Sequence, residues 1–433
     1  MKSENSASRA SGIRIPGLRW WIAGLLFMAS VLNYVDRNSV SLLAKTIQDG
    51  LVVSDQQYAN IQIAFQVAYA IALLLSGIVV DRLGPRWALA LFLGWWSLAS
   101  LSTSFAHGAL SLGVVMFAMG LGEAGNWTAA PKAVSAWFPS RERGLAIGIY
   151  TAGTPLGMTV APIFIVGLSE AWGWRGTFVV TGLLGFVWLV PWLLFYRRSL
   201  LGSAECALIA DAAPQAVAAP VAAGWTYGEA LRRKEVWCLL IGRMLSDPVW
   251  FFYLIWFPKY LQTARGLTQS EVKITWIVFL AAGIGSTFGG WLASRFIKRG
   301  WTPPRARLLI MLGCAILMPL SPLVAYSPGV AWSLAIASVI CLAHLAWLTN
   351  ITALIVDIVP GASLGKVFGL VAAGSSVGAI AMNKLVGALL MPDPITKLVQ
   401  PDAYNKWFII AAFLHVAVIP LIAWGVLRRK GAG

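Results

Sequence analysis

Five ionisable residues, Asp36, Arg37, Glu123, Arg243 and Asp247, fall inside long apolar runs. Apolar surroundings of the kind a bilayer provides impose a cost of roughly 3 kcal/mol or more on each ionised side chain, so function is the default explanation for such residues. Arginine stays charged whatever its environment and grips a carboxylate through two parallel hydrogen bonds, which makes Arg37 a candidate for holding an anion. On a helix turning about 100° per residue, Tyr34, Arg37 and Ser41 share one face while Asn33, Asp36 and Val40 occupy the next. Arg37 can thus face a solute cavity while Asp36 points at a neighbouring helix. The competing arrangement is an ion pair of Arg37 with Asp36 or Glu123, and the two can alternate in a working cycle. Asp36 and Glu123 are carboxyls in apolar surroundings near a cation, the composition needed to take up and release a proton as the surroundings change. Glu123 could instead hydrogen-bond between helices beside the small residues Gly120, Gly122 and Gly125.

Other polar groups recur at helical spacing. Gln62, Gln66 and Tyr69 form a polar stripe at i, i+4 and i+7, which should face water or solute. Arg243, Asp247, Trp250 and Leu254 form a second series, in which Arg243 and Asp247 could simply neutralise each other. Trp347, Asn350 and Asp357 form a third, with Asp357 reading as structural near a helix end. Trp250, Tyr253 and Trp347 could stack on the apolar face of a ring-shaped ligand, although 22 tryptophans leave many for packing and the membrane interface. Asn350 and Ser375 complete the candidate ligand set; close packing in a Gly-rich helix is the other account of Ser375 and Ser376. His344 and His415 read as isolated histidines.

The elements that must position these groups are membrane spans. The 433 residues are 58% hydrophobic and 12% charged, far below the usual charged content of water-soluble domains. Twelve apolar runs long enough to cross a bilayer lie at about 18–45, 57–80, 85–106, 109–134, 144–168, 175–196, 236–262, 271–294, 305–325, 330–356, 364–391 and 406–427. The runs are continuous rather than alternating, which disfavours a β-barrel. The expected fold is therefore an all-α membrane protein of twelve helices in two pseudo-symmetric six-helix bundles. Its parts are a tail at 1–17, a bundle at 18–196, a central loop at 197–235, a bundle at 236–427 and a tail at 428–433. With the N-terminus inside, 23 of the 33 Lys and Arg lie on the inner side and 7 on the outer, the rest falling in spans. That asymmetry predicts cytoplasmic termini and loops, and it accounts for the net charge of +16 without a nucleic-acid partner. The first run reads as a retained span, and the four cysteines form neither a disulfide framework nor a metal spacing.

The turn Gly77-Ile78-Val79-Val80-Asp81-Arg82-Leu83-Gly84-Pro85-Arg86 after the second span has a weaker counterpart in Gly289 to Phe296 after the eighth. Through this turn, with Asp81, Arg82 and Arg86 as its key residues, and through the two-by-six layout, the chain resembles the major facilitator superfamily. Asn33-Tyr34-Val35-Asp36-Arg37, Gly120 to Asn126, Trp137 to Gly144 and Asp247 to Tyr253 resemble the anion:cation symporter family and its hexuronate branch. The resemblance implies alternating access around a site between the bundles, proton coupling at Asp36 and Glu123, and contacts from Tyr34, Tyr69 and Thr154 to sugar-acid hydroxyls. Arg37, Gln66, Trp250, Tyr253, Trp347, Asn350 and Ser375 complete the expected substrate site. Many family members carry an arginine where Met116 stands here, so this coupling network lacks one cation.

The expectation is thus a monomeric proton-coupled symporter of an organic anion, with sodium the other candidate ion, in a bacterial-type inner cell membrane and with no cofactor. A hexuronate leads; an aldonate, aldarate or aromatic acid is the alternative, as is a passive anion facilitator. No nucleophile–base pair, HExxH or Walker loop supports an enzyme.

Overall fold

The computed structural model describes residues 15–138, 140–197, 200, 225–360, 363–391 and 402–427. Most of the N-terminal tail, the C-terminal tail and most of the central loop lie outside these residues. So do Pro139, the side chains of Leu74, Asp81, Ser140, Arg141 and Arg143, and the surroundings of Gly144 and Gly365.

The described residues are helical almost throughout. In chain order the helices are α1 (Leu18–Leu42), α2 (Ala44–Leu51), α3 (Asp55–Thr103), α4 (Ala109–Trp137), α5 (Ser140–Phe195), α6 (Tyr227–Leu231), α7 (Lys234–Ile255), α8 (Phe257–Thr263), α9 (Trp276–Lys298), α10 (Pro303–Leu317), α11 (Leu323–Tyr326), α12 (Val330–Ile358), α13 (Leu364–Leu389) and α14 (Ala403–Leu427). α3 and α5 are each two spans. Gly84 (φ 72°) and Gly173 (φ 67°) interrupt them in the left-handed region that only glycine enters easily, and Pro85 opens the next helix with its preset φ. With both divided, each half of the chain supplies six crossings, the twelve expected.

Local signals set the boundaries. Ser54 caps α3 through Gln57 N–H, and Gln57 accepts a hydrogen bond from Ser54 N–H in return. At the first turn Arg82 is exposed, whereas Arg86 donates to Leu193 O (2.7 Å) and its own carbonyl accepts from Trp192 Nε1 (2.9 Å), tying the turn to the end of α5. The expected counterpart at Gly289 to Phe296 is corrected: α9 runs on to Lys298, and the chain reverses only around Gly300 (φ 92°). Arg295 is therefore helical, because nothing before Gly300 breaks the helix. Asp357 pairs with Arg307, the structural role expected of it.

Small residues fix the packing within each half. A Cβ added to Gly153 or Gly157 of α5 would lie 2.4 and 2.7 Å from the carbonyls of Phe27 and Val31 of α1. In the second half, Gly374 and Gly378 of α13 meet the carbonyls of Leu240 and Met244 of α7 at 2.9 and 2.1 Å on the same measure. A glycine pair four apart thus admits the first helix of each half against its fifth, the close backbone approach expected of small-xxx-small pairs in membranes. The halves meet where α3 packs on α13 and α5 on α9.

Candidate functional site

A cavity of about 740 Å³ lies between the halves. Tyr34 and Arg37 of α1, Gln66 and Tyr69 of α3, and Trp127 of α4 line it from one side; Arg243, Asp247 and Trp250 of α7 and Ser375 of α13 line it from the other. Its lining continues through Pro131, Thr352 and Phe368, towards the C-terminal ends of α4 and α12.

Arg37 is the centre of the first wall. Its Nε donates to Glu123 Oε2 at 2.7 Å, and Nη2 stands 2.7 Å from the same oxygen. Glu123 is fully buried, and its Oε1 has no hydrogen-bond partner among the described residues. The guanidinium also lies over the rings of Tyr69 (4.7 Å), Tyr34 (5.2 Å) and Phe65 (5.6 Å), which fix its plane. Gly120 brings α4 close against α3, where a Cβ would stand 2.5 Å from Phe65 O. Asp36 faces the other way, as its helical position requires: Ser100 Oγ donates to Oδ1 (3.1 Å), and Ser100 in turn contacts Thr181 Oγ1 (3.0 Å). Met116 borders a void of about 20 Å³ shared with Arg37, Ser41, Gln62 and Gln66, so it stands beside the arginine rather than against Glu123.

The opposite wall carries a second ion pair. Arg243 Nε donates to Asp247 Oδ2 at 2.6 Å, Ser375 Oγ donates to that same oxygen, and Ser246 Oγ lies 3.4 Å from Oδ1. Arg243 and Asp247 do neutralise each other, yet both also line the cavity, which helical spacing alone does not reveal. Trp250 lies parallel to His344 (centroids 6.1 Å), and His344 Nδ1 faces His415 Nε2 at 3.0 Å. The two histidines are a buried pair rather than isolated residues, joining α12 to α14, both of which pack on α7.

Four expected ligand residues lie outside the cavity lining. Tyr253 is buried among Phe252, Phe257 and Phe408. Trp347 is fully buried behind the wall and donates to Ser246 Oγ (3.2 Å). Asn350 commits its amide to Gly289 O (3.1 Å) and Ala346 O (2.9 Å). Thr154 sits on α5 away from the lining. Conversely, Trp127 is not among the expected residues although it stands four after Glu123, a spacing that puts both on one helix face.

The opposite end is closed by contacts between the halves. Lys259 of α8 pairs with Asp55 of α3 and donates to Gln48 Oε1 of α2 (2.6 Å). Thr46 Oγ1 donates to Gln269 Oε1 (3.0 Å), and Gln269 Nε2 to Leu42 O (2.9 Å). Glu170, in the turn after the fifth span, meets Lys273 at 2.5 Å. That hydrogen bond, then one from Ser270, holds the Glu170 carboxyl below its ordinary range.

Two helical half-bundles around a central polar cavity, sealed at one end, make a membrane carrier. The Major Facilitator Superfamily model matches residues 26–383, and the chain belongs to that superfamily. It is 33% identical over 293 residues to a galacturonate transporter of Dickeya chrysanthemi, across 66% of this chain and 84% of that protein. It is 31% identical over 288 residues to a hexuronate transporter of Escherichia coli K12, across 65% of this chain and 67% of that one. Among solved structures, a bacterial homologue of the human lysosomal transporter Spinster, inward-facing and occupied, matches with TM-score 0.71 at 18% identity over 94% of this chain and 95% of that one. A D-xylose–proton symporter matches with TM-score 0.69 at 18% identity, over 93% and 97%. The chain is thus a multi-pass membrane transporter, not an enzyme, homologous to proteins named as sugar-acid transporters.

Proposed function

We propose that this protein is a proton-coupled symporter of a sugar acid, a hexuronate before all others, working by alternating access in a cell membrane with both termini cytoplasmic. The observation that carries the reading is that Arg37, in the cavity wall, is held by one oxygen of Glu123. A substrate carboxylate must take the guanidinium from Glu123, and a protonated Glu123 gives it up most readily, so anion and proton bind together. Tyr34, Tyr69 and Gln66 supply hydroxyl and amide groups that suit a polyhydroxylated ligand, since each sugar hydroxyl both donates and accepts. On the second wall Arg243, released in the same manner from Asp247, is a grip for the far end of the molecule.

The likeness to proteins named galacturonate and hexuronate transporters supports a hexuronate. An aldonate is the second reading, favoured by 31% identity to a probable L-galactonate transporter of Escherichia coli K12. With cytoplasmic termini, the seal around Lys259 lies outside and the cavity opens inward. Counterflow in proteoliposomes against a panel of hexuronates, aldonates, aldarates and aromatic acids, with and without an imposed pH gradient, tests the reading. Exchange of hexuronate with accumulation under the gradient is expected; exchange indifferent to the gradient would leave a passive facilitator.

A further inference from the structure

At the sealed outer end a second, smaller pocket of about 420 Å³ is lined by Lys45, Gln48, Asp49, Asp55, Lys259 and Thr263. That volume is within the range of roughly 300–1,000 Å³ common to small-molecule sites. Its charges are not equivalent. Lys45 and Asp49 are four apart on α2 and pair with each other at 2.8 Å, so they stay matched whatever the halves do. Lys259 is 6% exposed, and both groups that hold its ammonium, Asp55 and Gln48, belong to the other half. When the halves part here, Asp55 keeps a donor within its own half, Gln48 Nε2 at 2.9 Å, and keeps its place in the first turn of α3, where the helix favours an anion. Lys259 keeps neither of its acceptors. An ammonium parted from its carboxylate is free to take another anion in its place, and opening therefore turns this pocket into a site for an anion.

We propose that this vestibule is a second binding site for the transported sugar acid, where the substrate carboxylate replaces Asp55 on Lys259 and so releases the contact that holds the outer end shut. The site rests on the sugar-acid reading of the central cavity, but it differs from that cavity in place and in cation. It would give the carrier a capture step on one face only: the substrate that is to be carried breaks the seal, and an empty carrier keeps it.

The test is the KM for galacturonate at the outer and inner faces of the full-length protein in oriented proteoliposomes. Lys259→Gln removes the capturing charge and should raise the outer KM about tenfold or more, the loss of one charged-group interaction, with the inner KM unchanged. Asp55→Asn weakens the seal yet leaves Lys259 free, and should move the outer KM the opposite way. The double variant Asp55→Asn, Lys259→Gln leaves no unpaired charge and stands in if the single lysine variant does not fold; it should behave as the lysine variant. A mere lock predicts that both single variants shift the outer KM in the same direction. That result, or an outer KM untouched by Lys259→Gln and by the double variant, overturns the vestibule site. Failure of the wild-type protein to exchange any sugar acid overturns instead the transport reading on which it rests.

Discussion

Arg37 holds Glu123 by a single oxygen: Nε and Nη2 both stand 2.7 Å from Oε2, while Oε1 meets no partner among the described residues. Such a pair is poised for exchange. One carboxylate can leave a guanidinium as another arrives, and the leaving group is buried where a proton is the most accessible replacement for the lost cation. On the symport proposed above, the same grouping would link an anion in the cavity to a proton on Glu123.

Arg37→Ala should abolish sugar-acid binding in a protein that still folds, because this side chain is the cavity's cation on α1. Two charge-assisted hydrogen bonds are worth roughly 1.5–3 kcal/mol each, so affinity should fall about a hundredfold or more. Arg37→Lys should be nearly as poor, since an ammonium lacks the fork. Titration calorimetry on purified protein decides, and wild-type affinity in Arg37→Ala refutes the role.

Glu123→Gln and Asp36→Asn should lose accumulation driven by a pH gradient while retaining substrate exchange, which moves no net proton. In Asp36→Asn the introduced amide oxygen can still accept from Ser100, so the fold is expected to survive. Uptake equal to wild type under an imposed gradient in both variants would move the coupling elsewhere.

Stability should depend on the glycine pairs. A methyl at Gly378 would stand 2.1 Å from Met244 O, so Gly378→Ala must push α13 off α7, with overpacking of about 1–3 kcal/mol. Gly148, with nothing among the described residues within 4 Å of its added Cβ, is the control. Thermal unfolding in detergent should fall for Gly378→Ala and hold for Gly148→Ala; equal melting temperatures would contradict the packing account.

The pair of Glu170 with Lys273 gives the seal around Lys259 a pH dependence of known sign. Its carboxyl titrates below the ordinary range, so the contact is complete above that range and is lost as pH falls through the lowered value. Glu170→Gln at neutral pH should imitate acid, shifting distances between spin labels on α2 and on the turn before Trp276 towards an opening of that seal. The shift should be small and should shrink with salt, because the pair is exposed. An unaltered distance distribution would remove this contact from the seal.

Much of this architecture is legible in the sequence because lipid imposes one rule, continuous apolar helix, and departures from it are conspicuous. Arg37, Glu123 and Asp247 stand out as charges where charge is disfavoured, and the faces of α1 follow from its period: Arg37 lines the cavity while Asp36 meets Ser100. Aromatic and amide residues carry no such mark. Trp250 and Trp347 look alike in the sequence, yet one lines the cavity and the other donates to Ser246 behind it. Asn350 likewise serves two backbone carbonyls. The His344–His415 pair and the bond from Lys259 to Asp55 join residues 71 and 204 apart, distances over which helical spacing says nothing.

The most direct measurement is the proton uptake that accompanies sugar-acid binding to purified protein, read with a pH indicator in weak buffer, for wild type and Glu123→Gln. The exchange of Arg37 between Glu123 and substrate predicts about one proton taken up per anion bound by the wild type above the titration of Glu123, and none by Glu123→Gln. Binding without proton uptake in the wild type, or the same uptake in both proteins, would contradict it.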